Sequence, residues 1–206
     1  MADLATLSQD IIRRAAASSR FLVGIAGPPG SGKSTLSAGL ADELKRRGEA
    51  AIVVPMDGFH FDDIILNARG HRARKGAPHT FDVAGLEILL KRIRAREPAI
   101  AIPVFDRSLE LSRAAAAIVD EADRIILIEG NYLLLGAPPW NRLKSLFDVT
   151  IMLDVPEEEL ARRLTARIMG HGHDQAFASH WIASNDLPNA RTVIQESLPA
   201  DIVVAG

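Results

Sequence analysis

Gly27-Pro28-Pro29-Gly30-Ser31-Gly32-Lys33-Ser34-Thr35 is the stretch that decides the fold. It fits G-x-x-x-x-G-K-[ST]. An apolar run, Phe21 to Ala26, precedes it, and a segment from 33 to 47 follows with Leu36, Leu40 and Leu44 on one helical face. A strand that feeds a glycine-rich turn, which then opens a helix, is the context in which this pattern wraps a polyphosphate. Glycines let the backbone bend so that successive N–H groups point inward. The helix starting near Lys33 aims the positive end of its dipole at the same place. Lys33 supplies a mobile cation for the β- and γ-phosphates, Ser34 a hydroxyl for Mg²⁺, and Thr35 a second hydroxyl behind it. Gly27, Gly30, Ser31, Gly32, Lys33, Ser34 and Thr35 are therefore the candidate nucleotide-binding residues. The plainer alternative is a glycine-rich turn that only links strand to helix; motif and context together disfavour it.

Outward from this loop, the chain alternates short β-rich runs with helical patterns. Leu4, Leu7, Ile11 and Ile12 predict an amphipathic helix over 3–18. Ala51 to Met56, Ile125 to Ile128 and Val149 to Val155 read as buried strands, with Ile202 to Val204 as a last one. Leu86, Leu89, Leu90 and Ile93 predict a helix over 84–95, and Pro156 followed by three glutamates predicts another helix start. Strands apolar on both faces and separated by helices imply a parallel sheet covered on both sides. Asn67 to Thr80, basic and glycine-bearing, is expected to be a surface loop.

Composition narrows the class. The 206 residues suit one α/β domain, expected to span 1–206. A net charge of −2 gives no basic surplus for nucleic acid or an anionic membrane surface. Without cysteine, neither disulfides nor thiolate metal sites exist, which fits a cytoplasmic location. No apolar run approaches the ~18–20 residues of a membrane helix. Arg13-Arg14 ahead of Phe21 to Ala26 imitates a twin-arginine export signal, but the apolar stretch is short and runs into the phosphate loop.

Two acids stand at predicted strand ends, where open parallel sheets gather their ligands. Asp57 follows Ala51 to Met56, and Glu129 follows Ile125 to Ile128. Either could take a proton from an acceptor hydroxyl or hold Mg²⁺. The plainer alternatives are a turn or cap residue for Asp57 and an arginine-paired acid for Glu129.

These segments resemble the uridine kinase, phosphoribulokinase and bacterial pantothenate kinase family. Val53 to His60 is similar to that family's second strand with its Asp, and Ile126 to Tyr132 to its strand ending in Glu-Gly. Arg74 to Asp82 resembles its acceptor-side loop ending in Phe-Asp. Pro103 to Arg107 falls where the family has "Pro-x-Tyr-Asp", with Phe105 replacing the tyrosine. The wording is nearest to a bacterial subgroup described as fructose transport system kinases. The resemblance implies a three-layer P-loop fold with a five-stranded parallel sheet, an arginine lid over roughly 157–173, and a small β-ribbon near 99–105 and 114–119. It also implies Asp57 as general base, Glu129 beside the metal or the acceptor, and His60, Phe81, Asp82, Phe105, Arg107 and Tyr132 on the acceptor side.

Arg163 and Arg167 lie four apart on the predicted lid helix, so they share one face, while Arg162 points about 100° away. Their planar donors suit the charge on a transferring phosphoryl group. The competing reading is a solvated face paired with Glu157 to Glu159. His171 and His173 lack a third ligand at metal spacing. Ser184 to Ala190 resembles the family's "Asn-Asp-x-x-Asn-Ala", with an interhelical turn as the plain alternative and either Asn185 or Asn189 facing a ligand. Trp140 and Trp181 read as core anchors.

The expectation is thus an ATP- and Mg²⁺-dependent kinase acting on a hydroxyl of a small metabolite. A sugar such as fructose comes first, with a nucleoside or pantothenate-type acceptor as the alternative, and a homodimer left open. A nucleotide-binding regulator or assembly ATPase is the rival from another class. It predicts slow hydrolysis that a protein partner, and no small molecule, accelerates. ATP-over-GTP preference is not encoded in these motifs.

Overall fold

A computed structural model describes residues 3–170 and 172–206. Five strands form one parallel sheet: β1 (Phe21–Ala26), β2 (Ala51–Pro55), β5 (Ile125–Gly130), β6 (Val149–Asp154) and β7 (Ile202–Ala205). Their spatial order is β2-β5-β1-β6-β7. β1 is flanked by β5 and β6; the chain runs from β1 to β2 on one side and later crosses from β5 to β6 on the other, and this reversal opens a crevice at the carboxyl end of β1. The phosphate loop begins there.

Period-2 alternation builds two cores from the same strands. Leu22 and Ala26 of β1, with Ile126 and Ile128 of β5, face helix α4 (Val83–Arg94) through its Leu86, Leu90 and Ile93. Val23 and Ile25, with Ile125 and Leu127, face α1 (Leu4–Ala15) and α2 (Lys33–Arg46) through Ile11, Leu40 and Leu44. All six residues of β1 and of β5 are buried, as expected for central parallel strands. A third, smaller cluster ties α5 (Glu157–Gly170) to α6 (Gln175–Trp181) and α7 (Leu187–Glu196) through Leu160, Leu164, Ala178 and Ala190. The lid therefore carries its own core.

β3 (Ile100–Asp106) and β4 (Leu111–Val119) form the expected ribbon, antiparallel with an irregular register between Ile102 and Val104. It packs on the single 3-10 turn Met56–Phe59, where β2 has already ended at Pro55. Gly58 makes that approach possible, since a Cβ there would lie 2.3 Å from the Pro103 carbonyl oxygen.

Two readings need correcting. Asn67 to Thr80 is not a plain surface loop. Helix α3 (Asp63–Ala68) enters it, two 3-10 turns follow at Arg72–Arg74 and Pro78–Thr80, and Lys75, Ala77 and Thr80 are buried. The reason is local polar satisfaction. Asp63 accepts from Arg72 and Lys75, and the Thr80 hydroxyl both accepts from the Gly76 N–H and donates to the Ala77 carbonyl. At Ser184 to Ala190 the plain alternative, an interhelical turn, does not hold. A π turn, Ile182–Asp186, runs straight from α6 into α7 and turns Asn185 and Asp186 inward. Trp140 is the core anchor expected, whereas Trp181 is half-buried at the edge of a cleft. No helix among the described residues is long and apolar enough to cross a membrane.

Candidate active site

The phosphate loop leaves β1 and enters α2 through two left-handed glycines, Gly30 (φ 80°) and Gly32 (φ 92°), where a side chain would be strained. Pro29 to Thr35 line one wall of a cleft of about 1260 Å³. Gly27 does not line it. A Cβ at Gly27 would meet the Ser31 Oγ at 2.8 Å and the Leu153 Cβ at 3.0 Å, so this glycine lets the loop sit down on β6.

Lys33 is buried, and its Nζ donates to the Pro28 carbonyl at 3.1 Å. Burial pulls its pKa down to about 8, against the pull of the Glu129 and Asp57 carboxylates. A cation taken from water and given one carbonyl is short of partners, and a triphosphate supplies them. Ser34 donates to Glu129 Oε1 at 3.2 Å. Glu129, at the end of β5, is 8% exposed, and burial and the neighbouring Asp57 charge push its pKa upward. A buried carboxylate beside a hydroxyl fits a divalent cation, since Mg²⁺ is commonly held by one or two carboxylates together with substrate phosphates. Among the described residues no cluster of three or more His, Asp or Glu could form an all-protein metal cage, so a metal here would share its coordination with the nucleotide. His171 lies outside the described residues; His173 stacks on Phe177 with ring centroids 4.2 Å apart.

Asp57 sits on the 3-10 turn after β2, in the same cleft as Lys33 and Glu129. Arg107, at the tip of the ribbon, donates to Asp57 Oδ2 at 3.0 Å and steadies the carboxylate from the acceptor side. The acceptor wall is aromatic. The His60 ring lies 3.9 Å from Phe81 and 5.1 Å from Phe105, and Lys75 Nζ is 5.3 Å from the Phe105 centroid. Burial lowers the His60 pKa to about 4, so the imidazole is neutral near pH 7.

Two residues expected on the acceptor side have structural duties instead. Asp82 caps α4, its carboxylate accepting from the Gly85 N–H at 2.9 Å. Tyr132 is fully buried between Phe81 and Trp140, and its hydroxyl donates to the Gly76 carbonyl at 2.6 Å. Neither lines the cleft.

On the lid helix the three arginines separate as their spacing implies. Arg162 is turned outward onto Glu159. Arg163 also meets Glu159, and its Nη1 reaches the Ser31 carbonyl at 3.3 Å, which brings it to the phosphate loop. Arg167 lines the cleft and lies close enough to Lys33 to lower its pKa further. Sequence reasoning missed Arg72, Lys75, Phe177 and Asp186 as cleft residues. Lys75 and Asp186 fall within segments marked by the resemblance, Arg74 to Asp82 and Ser184 to Ala190, and Phe177 had a signal of its own: His173, Phe177 and Trp181 repeat every four residues and their rings stack.

Comparison with known proteins places the chain in a family. The family model described as an AAA domain matches residues 23–179. A provisionally named uridine kinase of Schizosaccharomyces pombe is 36% identical over 196 residues, covering 90% of this chain and 83% of that protein. A crystal structure from Silicibacter sp. TM1040, provisionally named a fructose transport system kinase, is 43% identical with a TM-score of 0.94, and covers 99% of this chain and 100% of that one. The pantothenate kinase of Halalkalibacterium halodurans is 32% identical over 150 residues, covering 69% of this chain and 47% of its own length. The chain thus spans about half of that longer enzyme. Phosphate loop, parallel sheet and relatives converge: the chain belongs to the P-loop kinases of the uridine kinase, phosphoribulokinase and bacterial pantothenate kinase family, phosphotransferases that use ATP and an alcohol acceptor.

Proposed function

We propose that this kinase transfers the γ-phosphoryl group of Mg·ATP to a hydroxyl of a small polar metabolite, with a sugar such as fructose as the first choice. The observation that carries the reading is the shared cleft, lined together by Lys33, Asp57, Glu129 and the side chains of His60, Phe81, Phe105 and Arg107. Asp57 accepts the proton of the acceptor hydroxyl. That oxygen bonds to the γ-phosphorus as the bond from γ-phosphorus to the bridging oxygen of ADP breaks. Arg107 orients the Asp57 carboxylate. Lys33, Arg163 and Arg167 answer the charge on the moving group; Ser34 and Glu129 would hold Mg²⁺, which would offset phosphate charge. Gly170 and Gly172 end the lid helix, and Gly172 is left-handed (φ 88°), which suits a lid that closes against water.

The polar groups of Arg72, Lys75 and Asn185 in the cleft favour a hydroxyl-rich acceptor. A nucleoside is the second reading, favoured by the rings of His60, Phe81 and Phe105. ADP release measured against a panel of sugars, nucleosides and pantothenate separates the two. At least one acceptor class is expected to raise ADP release about tenfold or more over hydrolysis by water alone. If no alcohol in the panel raises it, the proposal is wrong.

A further inference from the structure

Asp186 is a buried acid that none of these roles uses. It is 8% exposed, and among the described residues its Oδ2 has no hydrogen-bond donor and no contact with solvent. Arg167 Nη2 stands 4.0 Å from that oxygen, an ion pair too open to be a hydrogen bond. Burial raises the Asp186 pKa and the Arg167 charge opposes the rise. A carboxylate held this way is a burden on the fold, and such arrangements concentrate at functional sites.

The backbone puts Asp186 there on purpose-built geometry. It ends the π turn, a form often found where a helix must re-aim side chains toward a ligand. The turn is fastened to the acceptor segment: Asn185 Nδ2 donates to the Lys75 carbonyl at 2.9 Å, and Arg74 reaches both the Ser184 carbonyl and Asn189 Oδ1. Arg167 stands on α5, one turn after Arg163, whose guanidinium touches the phosphate loop. The Arg167–Asp186 pair therefore links a helix that touches the phosphate loop with a turn fastened to the Arg74–Lys75 segment.

We propose that Asp186 is a positioning residue for phosphoryl transfer, holding the Arg167 guanidinium over the gap between the phosphate loop and the acceptor wall. This rests on Arg167 acting as a phosphoryl contact. A fixed guanidinium matters most when charge spreads over the equatorial oxygens, so the effect falls on the transition state and spares ground-state nucleotide binding.

The test needs no knowledge of the acceptor. ADP with Mg²⁺ and aluminium fluoride mimics the planar phosphoryl group, and its affinity is compared with that of ADP·Mg²⁺ by calorimetry. D186N is expected to weaken the fluoride complex about tenfold while ADP affinity stays within about twofold. R167Q is expected to weaken it at least as much, and the double variant no further than R167Q alone. An unchanged affinity in R167Q overturns the Arg167 reading. If R167Q weakens the complex but D186N does not, or if the two losses multiply, the Asp186 proposal is overturned and the Arg167 reading stands. The thermal midpoint of D186N is expected to equal or exceed that of the wild type. D186S is read in the same assay should D186N not fold.

Discussion

The two walls of the cleft are made in different ways. The proposed nucleotide wall is one contiguous stretch, Pro29 to Thr35, shaped by the left-handed Gly30 and Gly32. The proposed acceptor wall draws single side chains from scattered segments: Asp57 and His60, Lys75 and Phe81, Phe105 and Arg107, Asn185 and Asn189. Long-range bonds hold these pieces together, such as Tyr132 to Gly76, Asn185 to Lys75 and Arg107 to Asp57. A phosphate loop meets the same polyphosphate in any kinase built on it, so one backbone geometry serves. Acceptors differ, and a wall assembled from separate side chains changes one residue at a time without disturbing the sheet.

The largest expected effect lies on the nucleotide wall. Lys33→Ala removes the one cation embedded in the loop, and ATP-dependent thermal stabilisation of the protein is expected to disappear. Stabilisation equal to wild type would mean that the loop does not bind the phosphates through this lysine. Next comes the joint between the walls. Gly58→Ala drives a Cβ to within 2.3 Å of the Pro103 carbonyl, whereas Gly170→Ala meets nothing within 4 Å. Chemical denaturation is expected to show a loss of about 1–3 kcal/mol for Gly58→Ala and a change within about 0.5 kcal/mol for Gly170→Ala. Equal stabilities would mean that the ribbon does not rest on the Asp57 turn.

The walls also respond to different pH ranges. With its pKa near 8, Lys33 starts to lose its proton well below the usual lysine range, so ATP affinity is expected to weaken as pH rises through about 8. On the acceptor wall the His60 pKa is lowered to about 4. A depressed imidazole binds its proton less readily in the folded than in the unfolded chain. Its contribution to stability is therefore present above about pH 6.5 and fades as pH falls toward 4. Acid titration of His60→Gln, followed by circular dichroism, is expected to show a shallower loss over that window than wild type; identical curves would contradict it. The smallest effect belongs to the outer face of the lid. Arg162 is paired with Glu159 and points away from the cleft, so Arg162→Ala is expected to change kcat less than about twofold.

How the walls are made also decides how well they are read from sequence. β1, the phosphate loop and α2 follow from one run of residues, because strand, turn and helix signals are adjacent in the chain. The ribbon, placed by resemblance, agrees with the structure to within a few residues, and a helix starts at Glu157 as Pro156 and its glutamates predict. Asn67 to Thr80 reads as irregular because its local bonds from Asp63 and Thr80 leave no periodic signal and the rest of its order comes from partners far along the chain, 56 residues from Gly76 to Tyr132 and 110 from Lys75 to Asn185. Asp82 and Tyr132 sit beside true cleft residues in sequence, and only burial and hydrogen bonds separate a helix cap and a core phenol from acceptor contacts. Asp186 gave no sequence signal of its inward turn, because a π turn has no composition of its own.

One measurement tests the phosphotransfer mechanism most directly: acceptor-stimulated ADP release by Asp57→Asn, with ATP binding followed on the same sample. The variant is expected to bind ATP as the wild type does and to lose about 10²–10⁴ in kcat, because the amide cannot take the hydroxyl proton. Turnover within a few-fold of wild type, at undiminished ATP affinity, would show that the proton leaves by another route and that Asp57 is not the base.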